Sequence, residues 1–138
     1  MNPYPEEVLD EEEDDGTMPG SVAALADTVV GHKIVSAEKD HDLPRSYWAG
    51  AGLRLTLDNG RQVIVRDTSD CCAYTEIEAF LLNPDKVDHV ITGVGTTDEY
   101  TKWHVYADAG DVLELTVGWS SGNPFYYGYG FDIEVEDA

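Results

Sequence analysis

Residues 87–136 constrain the fold most, because their extended stretches follow one another with almost nothing between them. "VDHVITGVG", "YTKWHVYAD" and "DVLELTVGW" are separated only by turn residues at 96–99 and 109–111, and "FYYGYGFDIEVE" follows the loop "SSGNP". Connections this short reverse a strand but cannot carry a parallel crossover, which needs about a dozen residues or more. The expectation is an antiparallel meander. In the third stretch Leu113, Leu115, Val117 and Trp119 share one face and Glu114, Thr116 and Gly118 the other, the period of a sheet with one buried side.

The first half adds a hairpin. In "LRLTLDNGRQVIVRD" Leu53, Leu55 and Leu57 alternate with Arg54, Thr56 and Asp58, and Val63 and Val65 resume the alternation. Asn59 and Gly60 between them predict a type I′ turn. "SVAALADTVV" predicts a short helix capped by Ser21 and stopped near Gly31, "HKIVSAEK" a strand, and "HDLPRSYWAGAG" a loop. "DCCAYTEIEAFLLNP" carries Ile77, Phe80 and Leu81 at helical spacing and stops before Pro84, which predicts a helix of about three turns with Asp70 as its N-cap. Together these patterns describe an α+β fold: a mostly antiparallel sheet of six or seven strands with one inserted helix packed on it.

A chain of 138 residues with 42% hydrophobic residues supports one domain with a real core. Residues 1–19 combine three prolines with eight acids, a composition that cannot bury enough apolar surface to offset ordering; they are expected to form a disordered tail, with the domain at 20–138. Twenty-eight acidic residues against 8 basic ones give a net charge of −20. Such a field repels phosphate backbones and anionic lipid, which disfavours direct nucleic-acid binding and membrane docking and admits a basic protein partner. No apolar run approaches the roughly 18 residues of a membrane span, and the acidic N-terminus is unlike a signal peptide. With two cysteines and no secretion signal, a cytoplasmic location is expected.

Those cysteines, Cys71 and Cys72, are adjacent, next to Asp67 and Asp70. At a helix N-terminus the macrodipole would lower a thiol pKa, and His32, His41, His89 and His104 are candidate bases. The flanking carboxylates oppose ionisation, so the simpler reading is small packing residues. Adjacent cysteines without a second Cys/His pair argue against zinc, and Asp67, Ser69 and Asp70 lack the glycine and distal acid of a calcium loop. With no P-loop, G-x-S-x-G or dinucleotide fingerprint, no cofactor, metal or catalytic residue is expected. The segment "GNPFYYGYGFDIEV" raises a different candidate: Gly128 and Gly130 leave a strip without side chains beside Tyr126, suited to a close approach by a partner, a planar ligand or the protein's own helix.

"DTSDCCAYTEIEAFL", "DHVITGVGTTDEYTKWHVYAD" and "LELTVGWSSGNPFYYGYGFDIEV" together resemble a domain family of unknown function met in proteins encoded by actinobacteriophages, mycobacteriophages above all. The resemblance spans about residues 28–136 and implies expression inside a bacterial host, with no activity attached. The resulting expectation is a non-enzymatic accessory protein that binds a host protein, in the host cytoplasm. The alternatives are a small-ligand binder that sequesters a host signalling molecule, with a local anion site near residues 71–73, and a cysteine-dependent enzyme. The candidate binding residues are Asp67, Asp70, Cys71, Tyr126, Gly128 and Gly130.

Overall fold

The computed structural model describes residues 4, 17–40, 52–70, 73–120 and 129–136. Among these, one helix, α1 (Thr17–Val29), precedes nine strands: β1 (Ile34–Asp40), β2 (Gly52–Leu57), β3 (Gln62–Arg66), β4 (Thr68–Asp70), β5 (Ala73–Leu82), β6 (Gly93–Thr97), β7 (Lys102–Ala107), β8 (Gly110–Ser120) and β9 (Asp132–Glu136). The fold is α+β with antiparallel pairing throughout, but the strands form two sheets rather than one. The first has the order β1-β2-β3-β9 and the second the order β4-β5-β8-β7-β6. The expected meander is present as β6, β7 and β8. What divides the strands is β9, which pairs with β3 and returns the chain to the first sheet.

One core unites the parts. Leu53, Leu55, Leu57, Val63 and Val65 of the first sheet pack in one cluster with Ile77, Trp103, Val105, Leu113, Leu115 and Val117 of the second and with Met18, Leu25 and Val29 of the helix. The alternation expected in β8 holds, with Leu113, Leu115 and Val117 buried.

The segment expected to be a helix after Asp70 is instead β5, and the reason is a β-bulge. Ala73, Thr75 and Ile77 are buried while Tyr74 and Glu76 are exposed, a period of two. A register shift between Ile77 and Ala79 then inserts one residue, so that Phe80 and Leu82 return to the core side. A slipped strand thus spaces its core residues 77 and 80 three apart, which imitates one turn of helix. Asp70, expected as that helix's N-cap, lies instead in β4, opposite Ala73.

Four further expectations change. The helix begins at Thr17, inside the segment read as a disordered tail, and Pro19 is tolerated because first-turn amides have no intrahelical acceptor. Ser21 is not its cap but one of the buried face Met18, Ser21, Leu25 and Val29. The β2–β3 hairpin forms as expected, with a different turn: the Gly60 amide donates to the Leu57 carbonyl at 3.0 Å, and Gly60, not Asn59, has positive φ (85°). That is a type I turn closed by a left-handed glycine, the usual three-residue hairpin. Finally, residues 84–88 form turns, residues 89–92 belong to no strand, and β6 starts only at Gly93.

Candidate functional site

Alternation along the second sheet leaves a polar face opposite the core. Across it, Gly95, His104 and Glu114 are direct neighbours on β6, β7 and β8, and Tyr106 is paired with Asp111. The glycines of β6 make room on this face. A Cβ at Gly93 would fall 2.3 Å from the Tyr106 hydroxyl, and one at Gly95 would fall 2.4 Å from Cβ of Tyr4.

His104 is the centre of a network. Its Nδ1 lies 2.9 Å from Oδ2 of Asp111 and 3.6 Å from Oε1 of Glu114, and its Nε2 lies 2.9 Å from Oγ1 of Thr97. A carboxylate only accepts, so Nδ1 carries the proton of the short contact, and the Thr97 hydroxyl matches whichever role Nε2 takes. Tyr4 covers the ring: its own ring stacks on the imidazole at 4.1 Å and 7°, and its hydroxyl donates to Oδ1 of Asp111 at 2.7 Å. Tyr106 flanks Tyr4 at 5.6 Å. Burial, the hydrogen bond to Asp111 and the negative charges of Asp111 and Glu114 push the Tyr4 phenol above its ordinary pKa.

Beside Thr97 the backbone is strained. Asp98, Glu99 and Tyr100 all have positive φ, at 57°, 56° and 64°. Without a glycine among them, this costs on the order of 1 kcal/mol per residue and persists only where neighbours hold it. Two tryptophans do so. The Trp103 indole donates to the Tyr100 carbonyl at 2.9 Å and the Trp119 indole to the Glu99 carbonyl at 2.8 Å. Tyr100 is buried edge-on against Trp119, and Trp119 stacks on Tyr129.

Next to this turn the polar face opens into a groove of about 400 Å³. Ala79 and Leu81 supply an apolar wall, with Phe80 between them turned to the core, and Thr97, Asp98, Lys102, His104, Glu114 and Thr116 supply the polar lining. Lys102 donates to the Thr116 hydroxyl at 2.9 Å.

Asp67 and Gly130, singled out in the sequence, lie elsewhere. Asp67 accepts the Ile77 amide at 3.1 Å, beside the β5 bulge. Gly130 is buried under the helix: its φ is 88°, a Cβ there would fall 2.5 Å from Cγ2 of Thr17, its amide donates to Thr75 Oγ1 and its carbonyl accepts from Thr68 Oγ1. The group that approaches this glycine is therefore the protein's own helix. Cys71, Cys72, His41, Tyr126 and Gly128 lie outside the described residues, and Ala73–Leu82, expected as the helix behind an anion site near 71–73, is β5. His104 was visible only as one of four candidate bases. The alternation of Lys102, His104 and Tyr106 against Trp103 and Val105 could have placed it on the outer face, but the partners come from other strands and a distant tyrosine.

Residues 27–133 match the model of a domain of unknown function, DUF7448, and the chain belongs to that family. The His104 network lies within the match and Tyr4 outside it. No curated protein and no solved structure matches the chain. Among the described residues no helix is long and apolar enough to cross a membrane.

Proposed function

We propose that this DUF7448 member is a non-enzymatic binding protein that uses the groove on the outer face of the second sheet to hold a basic side chain of a protein partner. The observation that carries this reading is the groove's lining, an apolar wall of Ala79 and Leu81 leading to the carboxylates of Asp98 and Glu114. Lysine and arginine lay an aliphatic stem along apolar surface while the charged head seeks carboxylates, so one such side chain matches both parts. The net charge of −20 favours encounter with a basic partner. The resemblance to actinobacteriophage families supports an accessory role, with the partner a host protein met in the host cytoplasm. The second reading, a small ligand held by the same groove, draws on its volume and mixed lining.

A photo-crosslinking residue at Thr116, inside the groove, should capture a defined basic protein in the host, and the same residue at Thr56, on the first sheet, should not. Glu114→Gln should weaken the capture. Equal capture from both positions would overturn the reading, and capture of a small molecule alone would favour the second.

A further inference from the structure

We propose that His104, Asp111 and Glu114 form a binding site for one divalent first-row transition-metal cation of the Zn2+ or Mn2+ type. One donor atom from each, Nδ1, a carboxylate oxygen and a carboxylate oxygen, lies within 4.8 Å of the other two. Donors at about 2.0–2.2 Å from a tetrahedral cation stand roughly 3–3.5 Å apart, and the contacts of Nδ1 are already 2.9 Å to Asp111 and 3.6 Å to Glu114. One imidazole with two carboxylates is a borderline set, suited to such cations more than to calcium or magnesium, which prefer oxygen alone.

Two further observations hold the donors in place from outside the triad. Thr97 faces the far nitrogen of the imidazole, and the Tyr4 hydroxyl faces the second oxygen of Asp111. These are the outer contacts that orient metal ligands. The proton balance also closes: a cation at Nδ1 displaces the proton there, Nε2 then carries the ring proton, and the Thr97 hydroxyl accepts it as readily as it donates to a bare nitrogen. Access is open. The side chains of His104, Asp111 and Glu114 are 10%, 21% and 45% exposed, so the ring is fixed while one carboxylate meets solvent at the edge of the groove.

The inference does not depend on a protein partner, and its test needs none. Metal-free protein titrated with ZnCl2 or MnCl2 by calorimetry should bind one equivalent saturably, with a rise in Tm, and MgCl2 and CaCl2 should bind at least tenfold more weakly. Because acidic residues elsewhere adsorb cations, the decisive measurement is loss of that equivalent, at least tenfold in Kd, in His104→Gln and separately in Glu114→Gln, whose side chain is exposed enough to leave folding intact. Co2+ should give visible absorption bands that Glu114→Gln abolishes. Absence of one-to-one binding, or binding undiminished in a folded Glu114→Gln variant, would overturn the site. Partner capture measured in chelator tests the groove separately.

Discussion

The two sheets share a core and a pairing scheme, yet their outer faces treat charge in opposite ways. On the first, each guanidinium meets an acceptor across the strands: Arg54 donates to Gln62 at 2.6 Å and lies 3.6 Å from Glu136, and Arg66 lies 3.2 Å from Glu134. On the second, Lys102 is spent on a neutral hydroxyl, and Asp111 and Glu114 both turn to one imidazole. No Lys or Arg pairs with either carboxylate among the described residues. With few basic residues in the chain, placing arginines on one sheet leaves negative charge on the other. The first face pairs its arginines with its own acceptors, whereas the second keeps two carboxylates beside one imidazole, the arrangement that the proposed cation would meet.

The largest effect should come from breaking the first face. Arg66 is 3% exposed, and its Nε and Nη1 have no hydrogen-bond partner among the described residues, so its pair with Glu134 is its main compensation. Arg66→Ala removes the buried guanidinium from beside Glu134 and leaves a hole, and should cost about 2–3 kcal/mol in urea unfolding; an unchanged midpoint would mean that the pair contributes nothing.

A smaller effect is expected where Tyr4 docks. Gly95→Ala puts a methyl group where the Tyr4 side chain lies and should cost about 1 kcal/mol while displacing Tyr4. The phenol reports on this. Burial first, then the bond to Asp111, raises its pKa in the docked state. Below about pH 10 docked and free phenols are both protonated, and above it the free phenol ionises first, so docking is fully present below about pH 10 and weakens as pH rises beyond it. Burial raises the Tyr106 phenol as well, so ultraviolet titration should show one more late-titrating tyrosine in the wild type than in Gly95→Ala; no difference would show that Tyr4 is not held there.

The smallest effect sharpens the contrast directly. Glu114→Gln removes a carboxylate that faces another, and in metal-free protein should alter stability by no more than about 0.5 kcal/mol, on the stabilising side. A loss above about 1 kcal/mol in thermal unfolding would place Glu114 with Glu134 as a structural partner.

Much of this architecture was legible in the sequence, because alternation and short connections are local signals. Leu53, Leu55 and Leu57, and the face of Leu113 to Val117, were found where expected. The β5 bulge was not, since one inserted residue turns a period of two into a spacing of three, and nothing local distinguishes that from a helix. The division into two sheets depends on β9 finding β3, about 70 residues away, which no local pattern encodes. The site was the least legible. Its donors come from β7 and β8 and their outer contacts from β6 and Tyr4, each polar residue unremarkable alone, and the glycines that make room on this face, Gly93 and Gly95, read only as part of an extended stretch.

The strained turn at Asp98, Glu99 and Tyr100 bears on the order of events in folding. A hairpin normally zips from its turn outward, in about 1–10 μs, without help from the rest of the chain. Here the turn between β6 and β7 opposes closure until the indoles of Trp103 and Trp119 are in place, and Trp119 belongs to β8. The β6–β7 hairpin is therefore expected to close late, after β8 has docked. Glu99→Gly, which removes a left-handed penalty, should then slow unfolding or speed the final closing step, with tryptophan fluorescence as the reporter. A burst of native fluorescence before β8 is protected from hydrogen exchange would reverse that order.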